Sequence, residues 1–422
     1  MATASTCGDG IVQAPEQCDD ANARDDDGCL ATCFHPSSFV SSDPHVHSYG
    51  CNFQRTPDEL ADLAQDAGLR VAAALVWGLG YESDRRYFTG RDYPHGRAGL
   101  LLHYDLEVAR FPAAEGGHLV LLGLDSIDFS RHPFEEPHSG IPVADWARAQ
   151  GPQVVVGMAH AHLWPDDGSF PGLPGGCCMP FELPVHAARG RLDFLAVERS
   201  GTFPLNRGAF LLWRALQNSG FRVAAAGSSD YSCLNHGFFD RTPRTDVVMD
   251  DTVSYGRWLD SLRRGRSSVV VGRRSHIGLR VNGAPMGDEV PARSGDTLVA
   301  AVETDFEDAA DVELLVNGDV VGRFRAEAGL RAATVKLTAQ GSAWVVARSP
   351  RAMTNAVYVV VDGRPIRASA SDTCYLIRSV DHLRRLPLDR AESLGAAFAA
   401  YDDAKAILQQ RFNEAGGGSC GP

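Results

Sequence analysis

The segment Asp43-Pro44-His45-Val46-His47 sets two imidazoles two residues apart, directly after a stretch, Ser38 to Ser42, that reads as a strand. Side chains at i and i+2 of a strand face the same way, so His45 and His47 can reach one cation. Asp43 shares that face and can either ligate or orient a histidine from behind. His160, Glu198 and Asp230 each close an apolar run, and Glu107 closes another that begins at Leu100. Histidine with carboxylate is a donor set for divalent zinc, manganese or iron. A serine nucleophile at Ser228-Ser229 is disfavoured, because the Gly-x-Ser-x-Gly elbow is missing.

Such residues need a scaffold that gathers strand ends. Val71 to Gly78, Leu119 to Leu124, Gln153 to His160, Leu192 to Glu198 and Arg222 to Asp230 are continuous apolar runs, as in strands covered on both faces. Between them, Thr56-Pro57-Asp58-Glu59 is a capping box that opens a helix. Leu205 to Gln217 and Val253 to Leu262 read as further helices. The alternation predicts an α/β domain over residues 37–275, built on a parallel sheet or barrel with function at the carboxyl ends of its strands. Over 276–370, short alternating strands and the turns Asn282-Gly283 and Asn317-Gly318 predict a β-sandwich of Ig-like type. Residues 371–422 are expected to pack a strand and a helix back on the core. The helix face would carry Leu394, Phe398, Tyr401, Leu408 and Phe412, with Cys420 on a flexible tail. Trp77 and the loop residues Trp164 and Phe170 are expected to wall an apolar substrate pocket.

A net charge of -13 over 422 residues argues against a nucleic-acid partner. No apolar run is long enough for a transmembrane helix, and nothing in the composition sets an oligomeric state. Of ten cysteines, Cys7, Cys18, Cys29 and Cys33 crowd residues 1–36, a segment with too few apolar residues for a core. That density predicts disulfides rather than zinc, with three connectivities open. Cys177-Cys178 could be reactive, copper-binding or bridged to Cys51 or Cys233, and a structural disulfide is the expectation for an exported chain. The segment resembles the Cys-rich repeat common in exported myxobacterial proteins, and its acidic residues could take Ca²⁺. A secreted, periplasmic or cell-surface location is therefore expected. Met1 to Thr6 shows neither a basic nor an apolar signal-peptide region, so the cysteines alone carry that expectation.

Asp43-Pro44-His45-Val46-His47-Ser48, Glu107, Gly117-His118, His160 and Gly227-Ser228-Ser229-Asp230 follow one another in an order that resembles a known family. It is the polymerase-and-histidinol-phosphatase (PHP) superfamily, in its carbaryl-esterase-type branch, over about residues 40–390. The resemblance implies a distorted β/α barrel and one metal on His45, His47, Glu107 and Asp230. A second would share Glu107 and add His118 and His160, with Glu107, Asp230 and His160 closest to catalysis. A carboxylate bridging two cations can hold a hydroxide near neutral pH. The implied activity is hydrolysis of an ester, carbamate or phosphoester in a small molecule. Carbon esters are favoured because Lys and Arg are sparse near the motifs. Three departures lower the expected metal count to two or one: Trp77-Gly78 replaces an Asp-His, Ser232 replaces a His, and Phe53 stands near an early His. His162 or His236 could substitute, and Glu198 is an unassigned acid. The alternative expectation is a non-catalytic, exported metal-binding or surface-interaction protein.

Overall fold

The computed structural model describes residues 7–14, 16–50, 53–77, 81–109, 116–127, 139–170, 178–231, 233, 242–249, 252–385 and 395–421. Cys51, Gly78, Cys177, Ser232 and His236 lie outside the described residues.

The first half alternates strand and helix. Its strands are β1 (Phe39–Val46), β2 (Tyr49–Gly50), β3 (Phe53–Gln54), β4 (Val71–Val76), β5 (Leu101–Val108), β6 (Leu119–Leu122), β7 (Val155–Met158), β8 (Phe194–Val197), β9 (Ala224–Gly227), β10 (Pro243–Val248) and β11 (Ser267–Val271). Its helices are α1 (Pro57–Asp66), α2 (Tyr81–Asp84), α3 (Ile141–Ala149), α4 (Leu183–Ala188), α5 (Arg207–Asn218) and α6 (Tyr255–Arg264). The strands pair in the order β11-β10-β1-β4-β5-β6-β7-β8-β9. Both faces of this row are covered. One buries Val71, Ala73, Leu75, Val120, Phe194 and Ala226 against Tyr255, Trp258 and Leu262 of α6. The other buries Ala72, Ala74, Val76 and Leu102 against Leu60, Ala61 and Ala64 of α1. Farther along, Leu121, Val156 and Leu195 meet Val143, Leu183 and Leu212 of α3, α4 and α5. That double covering is why these strands read as unbroken apolar runs.

The sheet is not wholly parallel. β6 runs antiparallel to β5 and β7. Only residues 109–118 link Val108 to Leu119, too few for the crossover a parallel pair requires. The row also folds back on itself. Thr245 Oγ1 donates to the Gly227 carbonyl at 2.8 Å, and Asn355 bonds both Ala225 N and Ala225 O, at 2.7 and 3.0 Å. A side chain at Gly227 has no room, since its Cβ would lie 2.5 Å from Arg244 O.

The second half holds β12 (Ser275–Val281), β13 (Ala284–Pro285), β14 (Glu289–Ala292), β15 (Thr297–Phe306), β16 (Ala310–Val316), β17 (Asp319–Ala326), β18 (Gly329–Thr338), β19 (Ala343–Ser349), β20 (Ala352–Thr354) and β21 (Val357–Val361). A sheet ordered β13-β12-β15-β18 shares one apolar core with β14, β16, β19 and β21. β20 pairs antiparallel with β11, Ser268 opposite Thr354, so the large sheet runs on across residues 275 and 276. The chain ends in two helices, α7 (Ala370–Arg385) and α8 (Gly395–Glu414), with helix where a strand was expected after residue 370. Cys420 is not on a free tail: it is disulfide-bonded to Cys374.

The N-terminal segment is tied by Cys7–Cys33 and Cys18–Cys29. Its acids serve the fold. Asp19 accepts from the backbone N–H groups of Gly8, Asp9, Gly10 and Ala21, and these hold its carboxyl below its usual range. Asp25 accepts from Ala31 N at 2.8 Å and from Ala332 N at 3.1 Å, pinning the segment to β18. The residues expected to offer calcium its oxygens are thus engaged as hydrogen-bond acceptors inside the protein. Among the described residues no cysteine is free, which fits an oxidising environment, and no helix is long and apolar enough to cross a membrane.

Candidate metal centre

The carboxyl end of β1 is shaped for convergence. Between Asp43 and Val46 its register against β4 slips, three residues on β1 matching two on β4. Pro44 sits inside this bulge, where a strand tolerates a residue without an N–H. Asp43 does not point at the histidines as a ligand. Its Oδ1 accepts from His45 N at 3.0 Å and its Oδ2 from Ser229 N at 3.1 Å, binding β1 to the loop after β9. Burial pushes its carboxyl up to about 7. The same loop accepts His47 N at Tyr231 O and donates Asp230 N to His45 O at 3.0 Å. Asp230 therefore reaches the histidines by backbone pairing, with φ at 47°.

Two carboxylates then approach one pair of imidazoles. His45 Nε2 and His47 Nε2 are 3.1 Å apart. Glu107 Oε2 lies 3.5 Å from the first and 3.3 Å from the second, and Asp230 Oδ1 lies 3.5 and 3.2 Å from them. Ligands around zinc at its usual bond lengths stand roughly 3.3 Å apart. His45, His47 and Asp230 offer ligand atoms that all lie within 4.8 Å of one another, so this trio could hold a cation, with Glu107 beside its two imidazoles. His47 Nδ1 donates to Leu75 O at 2.9 Å, which turns the lone pair of Nε2 toward the gap.

The other oxygen of Glu107 faces a second group. Its Oε1 is 2.8 Å from His118 Nδ1 and 3.8 Å from His160 Nε2, and those two nitrogens are 3.1 Å apart. His118 stands just before β6, and His160 follows β7 with φ at 63°. Two of the few non-glycine residues in the left-handed region are thus candidate ligands, and such strain gathers at functional sites. His162 Nδ1, the His160 N–H and Ser228 Oγ all bond Glu198, whose Oε1 also lies 3.6 Å from His45 Nδ1. Glu198 stands behind both groups, and with His160 and His162 it forms a further set whose ligand atoms lie within 4.8 Å of one another.

The electrostatics describe a nest of acceptors short of cations. Burial would lower His45 and His47, yet Glu107 and Asp230 hold His45 well above its usual value and His47 at about 9. Burial would raise Glu107, but His45 and His118 hold it well below. Glu198 is likewise pulled down against burial, by His160 and His162. His118, unlike His45 and His47, is lowered, chiefly by burial. His45 Nδ1 and His162 Nε2 are buried with no hydrogen-bond partner among the described residues.

The centre opens on a cavity of about 280 Å³ lined by Trp77, His162, Leu163, Cys178 and Cys233 together with His47, Glu107, His118, His160 and Asp230. Trp77 donates its indole N–H to Tyr49 O at 2.7 Å and sets its ring 5.4 Å from that of His47. Trp164 and Phe170 are elsewhere: Trp164 donates to Tyr375 OH, and Phe170 stacks on Tyr375 and His382 of α7. Leu163 takes the place expected of them. Cys178 and Cys233 are both disulfide-bonded, so neither is a thiolate ligand as the protein stands. His236 and Ser232 lie outside the described residues. A larger cavity of about 560 Å³, lined by Arg257, Arg266 and Arg280, borders Val248 at the other end of the sheet and has no histidine among its described lining residues.

Residues 4–34 match a family described as a domain of unknown function, DUF4215. No curated protein matches the chain. Among solved structures, PsfC from Pseudomonas syringae PB-5123 is similar at 17% identity, over 56% of this chain and 92% of PsfC, with a TM-score of 0.38. An engineered protein is similar at 11% identity, over 70% of this chain and 78% of its own, with a TM-score of 0.15.

Proposed function

We propose that the chain is a metal-dependent hydrolase of ester-type bonds, acting on a PHP-like distorted β/α barrel and working outside the reducing cytosol. The observation that carries this reading is Glu107. One of its oxygens faces His45 and His47, which Asp230 also approaches, and the other faces His118 and His160, beside an open cavity. Divalent cations held by these residues supply Lewis acidity toward a substrate oxygen and lower the pKa of a water toward neutrality.

The chain's own side chains do the remaining work. The Leu75 carbonyl fixes the tautomer of His47, and Glu198 steadies His160 through its backbone N–H. Trp77 and Leu163 give the cavity apolar walls that exclude water from the reacting bond. Among the described lining residues there is no Lys or Arg. A phosphate dianion would lack its usual partners there, so a carboxylic ester or carbamate fits better. Assays of p-nitrophenyl acetate and p-nitrophenyl phosphate, with and without chelator, test this. Chelator-sensitive cleavage of the acetate is expected. If the protein binds no metal and cleaves neither substrate, the hydrolase reading is wrong and a surface-interaction protein is left.

A further inference from the structure

We propose that Cys178 gives the His118–His160 position a second, reduced state, in which its thiolate joins the two imidazoles and Glu107 as a metal ligand. The inference rests on the metal reading above and goes beyond it, because it makes coordination depend on redox state. Cys178 Sγ and the ligand nitrogens of His118 and His160 all lie within 4.8 Å of one another. Cys178 lines the cavity and is held there with φ at 84°, a left-handed conformation costly for cysteine. The second cavity cysteine, Cys233, donates its N–H to Asp230 O at 2.9 Å, so it is linked to the other metal position.

While Cys178 is disulfide-bonded its sulfur is a poor donor. His118, His160 and Glu107 then leave one side of their cation open to the cavity, the arrangement of a catalytic site. A phosphine reductant takes oxygen from water and becomes a phosphine oxide. The disulfide takes two electrons and two protons and becomes two thiols. On meeting the cation the Cys178 thiol releases its proton to solvent and binds as thiolate. A soft fourth ligand suits zinc and closes the side that substrate and water need. An oxidising compartment keeps the site open, and a reducing one shuts it.

The test is Co²⁺ binding to the full chain, oxidised or reduced with a phosphine, followed by near-ultraviolet absorption. Reduced wild type should gain a sulfur-to-cobalt charge-transfer band, and its Zn²⁺ dissociation constant should fall about tenfold or more. Cys178→Ser, with every other disulfide equally reduced, should show neither change. As a second readout, Zn²⁺ should shield Cys178 but not Cys233 from iodoacetamide in the reduced protein, read by mass spectrometry. Absence of the band, or equal labelling of the two cysteines with and without Zn²⁺, overturns the proposal. Failure of the oxidised protein to bind Co²⁺ overturns the metal reading itself, so the two failures are distinguishable.

Discussion

β1 runs through two buried polar clusters, and they differ in kind. Near its start, Ser41 donates to Asp246 Oδ1 at 2.7 Å, His276 bonds the other oxygen, and Arg244 Nε lies 3.5 Å from Oδ1 while its Nη2 donates to Arg273 O. A guanidinium and an imidazole answer that carboxylate, so its charge is matched inside the protein although Arg244 Nε makes no hydrogen bond among the described residues. Near the end of β1, Glu107, Asp230 and Glu198 face five histidines with no Lys or Arg among the described partners. There, imidazole nitrogens point at one another at 3.1 Å in two places, where each pair can share at most one proton. A buried carboxylate matched by a guanidinium and an imidazole is architecture. A buried cluster that leaves lone pairs converging calls for a cation.

Substitutions should separate the two clusters. Glu107→Gln should strip both metal positions, and hydrolysis should fall roughly 10³-fold, since Lewis-acid and oxyanion stabilisation are lost together. Metal content after gel filtration and p-nitrophenyl acetate turnover check this. Asp246→Asn should do the reverse. It should cost about 3 kcal/mol of stability in denaturant melts, the scale for breaking a buried ion pair, and leave metal content unchanged. Asp230→Asn should lose the metal on His45 and His47 while the one on His118 and His160 stays, halving the stoichiometry. Glu198→Gln should keep both metals but weaken binding about 10- to 100-fold by loosening the histidines it supports, measured by competition with a chromophoric chelator.

The smallest effect concerns acid. Burial alone would raise Asp246, but the His276 hydrogen bond and the Arg244 charge hold it below its ordinary 3.8. A carboxyl depressed in the fold stabilises above its unfolded pKa, and that contribution is lost as pH falls through the folded value. Below about pH 4 the wild type should therefore lose melting temperature more steeply than Asp246→Asn.

Much of the centre was legible because strand chemistry is local. The i and i+2 spacing of His45 and His47, and the polar residues that end apolar runs, need only the period of a strand and the rule that function gathers at strand ends. Glu107, His160 and Asp230 were named that way, His118 only through the family resemblance of Gly117-His118. The structure brings Glu107 to His118 and His160, and Asp230 to His45 and His47. Orientation set from far away was not legible. Trp164 and Phe170 read as pocket walls, yet Tyr375, more than two hundred residues on, draws both to α7. Asp43 read as a ligand or an orienting group; it does bond the His45 backbone N–H, but its grip on Ser229, far off in sequence, was not legible. The pairing of β11 with β20 was equally hidden, because a strand edge carries no sequence mark for its distant partner. The presence of Cys178 and Cys233 in the cavity wall had one faint signal, their placement in loops that follow strand-end ligands.

The most direct test of the metal centre is the metal content of the purified, fully oxidised chain, measured by inductively coupled plasma mass spectrometry beside Glu107→Gln. Two divalent ions per chain, both lost in the variant, is the predicted result. A wild-type chain that takes up no stoichiometric metal, even after incubation with Zn²⁺ or Mn²⁺, would contradict it.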